Sequence, residues 1–276
     1  MTHAPRLPDA ERAGDVTAPQ PVLSVRGLGH SYGSVRVLHD LSFDVAAGEV
    51  VAVVGPSGAG KTTLFRSLTR LVAPDHGHVR VAGNDLAVLS GPALRRARSD
   101  VGLIFQQYNL VRRLSALDNV LIGRLASMPT WRALLRRPGS DDTELARECL
   151  DRVGLAAHAG ARADRLSGGQ QQRVAIARVL AQRSRLLLAD EPVASLDPAS
   201  AAGVLATLSD VAAEHGIAVV CSLHQIDLVA GFADRVIGLR DGQLVFDVPV
   251  AAFGSDHRAA VYGPNPPPGP RQERCA

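Results

Sequence analysis

The sequence predicts an α/β fold: a mainly parallel sheet with helices on both faces, interrupted by a helical insertion. Three observations predict it. Val50-Val51-Ala52-Val53-Val54 is an unbroken apolar run ending at Gly55, which reads as a fully buried parallel strand. Strand and helix patterns alternate regularly from Ser167 onward, as in a sheet built by crossover connections. Between about Gln106 and Leu166 that alternation stops and only helical periodicity is found.

The elements follow in chain order. Val22–Val25 and Leu41–Val45 alternate, or nearly so, as half-buried strands. Val50–Val54 feeds a glycine-rich loop and a helix over Lys61–Leu71, the strand–loop–helix unit that cradles phosphate. His76-Gly77-His78 reads as a hairpin turn, too isolated for a metal site, with a strand at Val79–Val81 after it. Val101–Phe105 is a further buried strand. Leu117–Leu125 and Glu144–Val153 read as helices of the insertion. A helix then runs to Gln182, followed by a strand at Leu186–Ala189, a helix at Ala199–Glu214, a strand at Ile217–Ser222 and a helix at Gln225–Phe232. Val236–Leu239 and Leu244–Phe246 flank Asp241-Gly242, a type I′ hairpin signal. Residues 1–20 and 263–276 are rich in Pro and polar residues and read as disordered tails, leaving 21–262 as the folded unit and about 107–166 as its helical subdomain.

Composition narrows the function. Lys and Arg total 30 against 27 Asp and Glu, for a net charge of +3. That balance suits an anionic nucleotide or a membrane surface, and no basic stripe interleaved with aromatics points to nucleic acid. Cys149, Cys221 and Cys275 are far apart without a CxxC pair, as expected of reduced thiols in the cytoplasm. No apolar run is long enough to span a bilayer, and the N-terminal stretch, with Asp9 and Glu11, lacks the apolar core of a signal peptide.

Lys61 is the only lysine in the chain. It sits in Gly55-Pro56-Ser57-Gly58-Ala59-Gly60-Lys61-Thr62-Thr63, the frame of a phosphate loop. A pocket of backbone N–H groups has room for a compact ammonium, whereas a guanidinium is wide and forks its donors in fixed directions. The glycines let the backbone turn its N–H groups toward a β-phosphate, Lys61 reaches β/γ oxygens, and the Thr62 hydroxyl is placed for Mg²⁺. Leu186-Leu187-Leu188-Ala189-Asp190-Glu191 ends a buried strand in two carboxylates. The first suits a Mg²⁺ shell and the second can take a proton from an attacking water. Leu166-Ser167-Gly168-Gly169-Gln170 opens a helix with an N-cap serine and two glycines, a second place for an anion.

Together these motifs resemble the ATP-binding subunits of ABC transporters, with Leu166–Gln170 as the signature. The resemblance covers about residues 22–250 and keeps the family's order: phosphate loop, Gln106, helical insertion, signature, Asp190-Glu191, Ser195-Leu196-Asp197, His224. It implies the fold of an ABC-type nucleotide-binding domain of the P-loop NTPases, with a mainly parallel sheet, an antiparallel β subdomain and a helical insertion, and it implies ATP and Mg²⁺ as cofactors. Tyr32 falls where the family stacks an aromatic on adenine. Gln106 matches the glutamine that senses Mg²⁺ and the attacking water, and Gln107 stands beside it. Ser167, Gly168, Gly169 and Gln170 would face the nucleotide of a second copy, Asp197 would sit in the dimer contact, and His224 would contact the γ-phosphate. Glu191, His224, Gln106 and Lys61 would carry catalysis, with Thr62, Gln106 and Asp190 around the metal.

Many importer ATPases have Thr-His-Asp around the switch histidine, whereas this chain has Ser222-Leu223-His224-Gln225. That stretch, Phe105–Val111 and Asp190–Pro198 are similar to the ATP-binding subunits of phosphonate importers. The resemblance implies a homodimer on the cytoplasmic face of a membrane, joined to integral permease subunits and served by a solute-binding protein. An importer of another small solute, a soluble ATPase of this type acting on nucleic acid, and a nucleotide-gated scaffold are the alternatives. The single phosphate loop and the lack of a long heptad array disfavour the second. The presence of both Glu191 and His224 disfavours the third. Thr130–Arg137 sets the only tryptophan, Trp131, beside three arginines. That composition suits either a surface at lipid-headgroup level or a ring packed within the insertion.

Overall fold

Two sheets carry the site in the structure, a computed structural model that describes residues 20–105, 109–129, 131–132, 135 and 137–263. The first is antiparallel. Its strands are β1 (Leu23–Tyr32), β2 (Val35–Val45), β4 (His76–Val81) and the short β5 (Asn84–Asp85), in the order β2-β1-β4-β5. The second contains β3 (Val50–Val54), β6 (Val101–Ile104), β7 (Leu186–Asp190), β8 (Ala218–Leu223), β9 (Arg235–Arg240) and β10 (Gln243–Pro249), in the order β10-β9-β3-β8-β7-β6. Every pairing in it is parallel except β10 with β9.

The alternation read from the sequence builds the antiparallel sheet. Leu23 pairs with Val45, Val25 with Phe43 and Leu28 with Leu41, and all six side chains are buried. The continuous run of β3 lies between β8 and β9 and is buried on both faces. Its alternate residues enter different cores. Val50, Ala52 and Val54 pack with the helical insertion and the helices beyond it. Val51 and Val53 pack with Leu64, Phe65 and Leu68 and the inner face of the antiparallel sheet. Each large side chain fully buried this way stabilises the fold by about 1.5–3 kcal/mol.

Helices complete the layers. They are α1 (Lys61–Leu68), α2 (Gly91–Ser99), α3 (Ala116–Ile122), α4 (Ser140–Arg152), α5 (Gly168–Gln182), α6 (Pro198–His215) and α7 (Ser255–Tyr262). The insertion is helical, as the sequence predicts. Among the described residues its one β feature is an isolated bridge between Ser115 and Arg162. A capping box, Ser115 with Asp118, starts α3.

Several expectations are corrected. The helix after the phosphate loop ends at Leu68, before Leu71, because Arg70 turns left-handed (φ 57°) and Arg98 takes up the carbonyls of Thr69 and Arg70. His76-Gly77-His78 is not a hairpin turn but part of β4. Gly77 (φ 90°) marks an irregularity in the pairing with β1, His76 bonds Asp40 and His78 bonds Asp85. Gln225–Phe232 is not a helix; only Ile226–Leu228 makes one 3₁₀ turn, in a stretch whose β-branched residues and Gly231 favour helix poorly. The helices α2 and α7 and the short β5 went unforeseen. Trp131 is exposed rather than packed inside the insertion, with the Arg132 guanidinium 5.2 Å from its ring centre. Residues 1–19 and 264–276 of the two tails and parts of Thr130–Arg137 lie outside the described residues, as do Gln106 and Gln107.

Candidate nucleotide site

The phosphate loop leaves the sheet where β3 ends. Gly58 (φ 84°) and Gly60 (φ 102°) hold left-handed conformations that favour glycine, and they set the turn into α1. A side chain at Gly55 would lie 2.3 Å from the Leu239 carbonyl, so only glycine fits against β9 there. The hairpin tip pins the loop from outside. Gly242 N–H donates to Ala59 O at 3.1 Å, and His39 N–H donates to Gly242 O at 2.8 Å. Asp241 (φ 48°) and Gly242 (φ 73°) have the two positive φ angles of the expected type I′ turn.

Lys61 is buried, and its Nζ donates to Gly55 O at 2.8 Å and Pro56 O at 3.1 Å. Burial pushes its pKa below the usual lysine value, while the charges of Glu191 and Asp190 pull it back up. Lys61 lines a cleft of about 240 Å³ with Val37, Ser57, Gly58, Gly60, Thr62, Thr63, Glu191 and His224. Four sequence-predicted functional groups, Lys61, Thr62, Glu191 and His224, therefore meet in one place.

Glu191 lines the cleft just beyond the end of β7, while Asp190, the last residue of β7, is buried and is not among the lining residues, though its charge acts on Lys61. Asp190 is paired in register with Ser222 of β8. The buried Ser222 hydroxyl donates to Asp190 Oδ1 at 2.8 Å and accepts from Glu191 N–H, also at 2.8 Å. One hydroxyl thus orients the first carboxylate and fixes the backbone of the second. Glu191 takes a left-handed conformation (φ 51°), uncommon for a residue with a side chain, which turns it out of the strand. Its Oε1 lies 2.6 Å from His224 Nε2. A carboxylate and an imidazole in contact beside a buried ammonium can hold an anion and accept a proton from water.

The signature segment forms a separate surface. Ser167 caps α5: Gln170 N–H donates to its Oγ at 3.3 Å, and Gln170 Oε1 accepts from Ser167 N–H at 2.9 Å. Asp197 caps α6 by accepting from Ser200 N–H at 3.0 Å, and the hydrogen bonding from Ser200 holds its carboxyl below the usual range. The two helix starts adjoin, since a Cβ at Gly169 would lie 3.6 Å from Ser200 Cβ. Neither Ser167–Gln170 nor Asp197 lines the cleft around Lys61. Tyr32 is exposed at the end of β1, edge-on to His30 with ring centres 4.6 Å apart, and it too stands outside that cleft. Gln106 lies outside the described residues.

Ser222, Val37 and the hairpin contact at Gly242 escaped the sequence reading. For Ser222 a signal existed, namely one hydroxyl in the buried run Ala218–Leu223. Val37 and Gly242 left none, because their roles arise from contacts between distant segments.

Known proteins resemble this chain in sequence and fold. The ABC transporter family profile matches residues 38–194. A hypophosphite import ATP-binding protein of Stutzerimonas stutzeri is 49% identical over 240 residues, 87% of this chain and 70% of that protein. A phosphonates import ATP-binding protein of Nitratidesulfovibrio vulgaris is 47% identical over 264 residues, 95% of this chain and 98% of that protein. Among solved structures, a dimeric ATP-binding cassette in a post-hydrolysis state, bound to ADP and Pi, superposes with a TM-score of 0.70. It is 30% identical, over 84% of this chain and 100% of that one.

Proposed function

The chain belongs to the ABC transporter family, and we propose that it is the ATP-hydrolysing subunit of an importer for phosphonates or closely related phosphorus oxyanions. One observation carries the ATPase reading. Lys61, Thr62, Glu191 and His224 surround one cleft, while Ser167–Gln170 and Asp197 occupy a different surface. Each chain thus holds two halves of a site that are complete only when two copies face each other. The substrate reading is supported by the relatives' activities and by the Ser222–Gln225 stretch that sets this chain apart from Thr-His-Asp importers.

The chemistry follows from the residues present. The backbone N–H groups of Gly58–Thr62 and the N-terminus of α1 favour phosphate oxygens. Lys61 would exchange its two carbonyl partners for β- and γ-phosphate oxygens. Asp190, largely buried and with one oxygen steadied by Ser222, is an anion with acceptor capacity to spare. That suits a hard divalent cation, so Thr62, Asp190 and Gln106 are assigned to hold Mg²⁺. Mg²⁺ held there would offset part of the phosphates' negative charge. Glu191 takes the proton of the attacking water, and His224 keeps the carboxylate turned toward the cleft and reaches the γ-phosphate. Tyr32 stacks on the adenine. Ser167, Gly168, Gly169 and Gln170 of one copy close over the γ-phosphate held by the other, with Asp197 in the contact.

Coupling to a membrane partner has a surface of its own. Val111, Leu114, Leu121, Ile122, Leu125 and Met128 line an apolar groove of about 450 Å³ on the helical insertion, rimmed by Asp118, Arg132 and Arg137. Its apolar lining suits a permease segment. No helix among the described residues is long and apolar enough to cross a membrane. The subunit is therefore read as peripheral, on the cytoplasmic face, with a solute-binding protein delivering substrate on the other side. Residues 21–262 make up the ATP-binding unit, and about 107–166 its helical subdomain.

The test is the ATPase rate of the assembled transporter. A phosphonate- or hypophosphite-loaded binding protein should stimulate it, and one loaded with sugar or amino acid should not. Equal stimulation by all would overturn the substrate reading and leave the ATPase intact.

A further inference from the structure

The C-terminal helix α7 reaches back to the phosphate loop across 207 sequence positions. Gly55 N–H donates to Tyr262 Oη at 3.1 Å. The parallel ladder of β3 with β9 ends at the pair Val54–Gly238, so Gly55 carries the first amide beyond that ladder. Gly55 is buried, and the Leu239 carbonyl bars any side chain there. The tyrosine hydroxyl supplies this amide with its acceptor, at the point where the chain turns from strand into phosphate cradle.

The helix is held firmly enough to act as an anchor. Arg240 Nη1 donates to Ala260 O at 2.8 Å. Phe246 packs against Phe253 and His257, with ring centres 5.9 and 4.9 Å apart, in space left by Gly238. Midway along the helix, Arg258 lies 3.4 Å from Asp227, in the turn that follows His224. One short helix therefore touches both the base of the phosphate loop and the segment carrying the switch histidine.

We propose that Tyr262 is a positioning residue for nucleotide binding, acting through the Gly55 amide. The inference rests on the reading that Gly55–Thr63 binds the phosphates of ATP. Gly55 is gripped from both sides, its N–H by Tyr262 and its C=O by Lys61 Nζ at 2.8 Å. The ammonium has three donors, so reaching both β- and γ-phosphate oxygens takes at least one of them from the Gly55 and Pro56 carbonyls. Tyr262 then remains as the fixed hold on the residue, so the cradle keeps its shape while the ammonium moves. The benefit appears in affinity for nucleotide, because the contact is made before hydrolysis and does not change during it.

The experiment uses the full chain and the variant Tyr262→Phe, which removes one oxygen and keeps the ring. Val261→Ala, at a buried position of the same helix, loosens the helix without touching Gly55. ATP affinity is read by titration with a fluorescent ATP analogue, turnover by kcat and KM, and the Gly55 amide by hydrogen exchange of the peptide that contains it. Losing one such hydrogen bond should weaken ATP binding about fivefold in Tyr262→Phe, with kcat within about twofold and faster exchange at the loop. Val261→Ala should lower Tm at least as much and leave ATP affinity near wild type. An affinity loss in Tyr262→Phe below about threefold, or an equal loss in Val261→Ala, overturns the proposal. If wild-type protein itself fails to bind ATP, the phosphate-loop reading fails first and this inference falls with it.

Discussion

Lys61 is held by two backbone carbonyls in a cradle that a broader cation cannot enter. Lys61→Arg keeps the charge, yet it should lower ATPase activity of the assembled transporter roughly a hundredfold, the loss expected for a missing transition-state contact. Activity within about threefold of wild type would contradict this. Ser222 sets a second test. Ser222→Ala leaves Glu191 N–H without its acceptor and frees Asp190 Oδ1. Losing this hydrogen bond leaves the Asp190 carboxylate and the Glu191 backbone less firmly oriented, so kcat should fall about tenfold, the effect of roughly 1.4 kcal/mol, while Mg²⁺-free ATP binding stays unchanged. Buried thiols give a pH test. Burial raises the Cys149 thiol from 9.0 to about 11, and pushes the Cys221 thiol well above its ordinary value. An acid whose pKa is higher in the folded state stabilises the fold fully below its unfolded pKa. That contribution is lost as pH rises toward 11. Tm should therefore fall from about pH 9 upward, and iodoacetamide should label Cys149 only after unfolding. Lys61 was legible because one lysine in an arginine-rich chain sat in a phosphate-loop frame. The Ser222 role was not, since it depends on the register that brings Ser222 beside Asp190 across 32 positions.

At the scale of elements, the hairpin tip between β9 and β10 braces the loop that binds phosphate. Its Asp241-Gly242 dipeptide was readable because few residues tolerate two successive positive φ angles. What the tip rests on was not readable, because Val37 and Ala59 are far away in sequence. A Cβ at Gly242 would lie 2.1 Å from the Val37 carbonyl, at a residue with φ 73°. Gly242→Ala should therefore destabilise the fold by more than the ~1 kcal/mol of an unfavourable left-handed residue, and Tm should drop by several degrees. An unchanged Tm would show that the hairpin moves freely from β2. The missed helices share a cause: α2 opens on Gly91-Pro92 and α7 follows Gly254, so each starts on residues that also end structure. The misread His76–His78 turn is the converse case. A bulge glycine and a turn glycine look alike until the opposing strand is known, and here a Cβ at Gly77 would lie 2.3 Å from Gly27 O.

At the scale of the whole molecule, the sequence showed the order of the motifs but not their separation in space. Lys61, Thr62, Glu191 and His224 converge because β3, β7 and β8 are neighbours with the same direction, a consequence of the alternating pattern after Ser167. The signature stands apart because α5 begins beside the start of α6 and outside that cleft. On the function proposed above, a chain built this way would complete its catalytic site only against a second copy, with ATP between them. Glu191→Gln isolates that proposal: it removes the proposed base and keeps the shape, so bound ATP should persist and hold the two copies together. The decisive measurement is the mass of Glu191→Gln in solution by size-exclusion chromatography with light scattering, with ATP and Mg²⁺ and then with ADP. The account predicts twice the 29.0 kDa of one chain with ATP, and a single chain with ADP. A variant that binds ATP to saturation yet keeps the mass of one chain would contradict it.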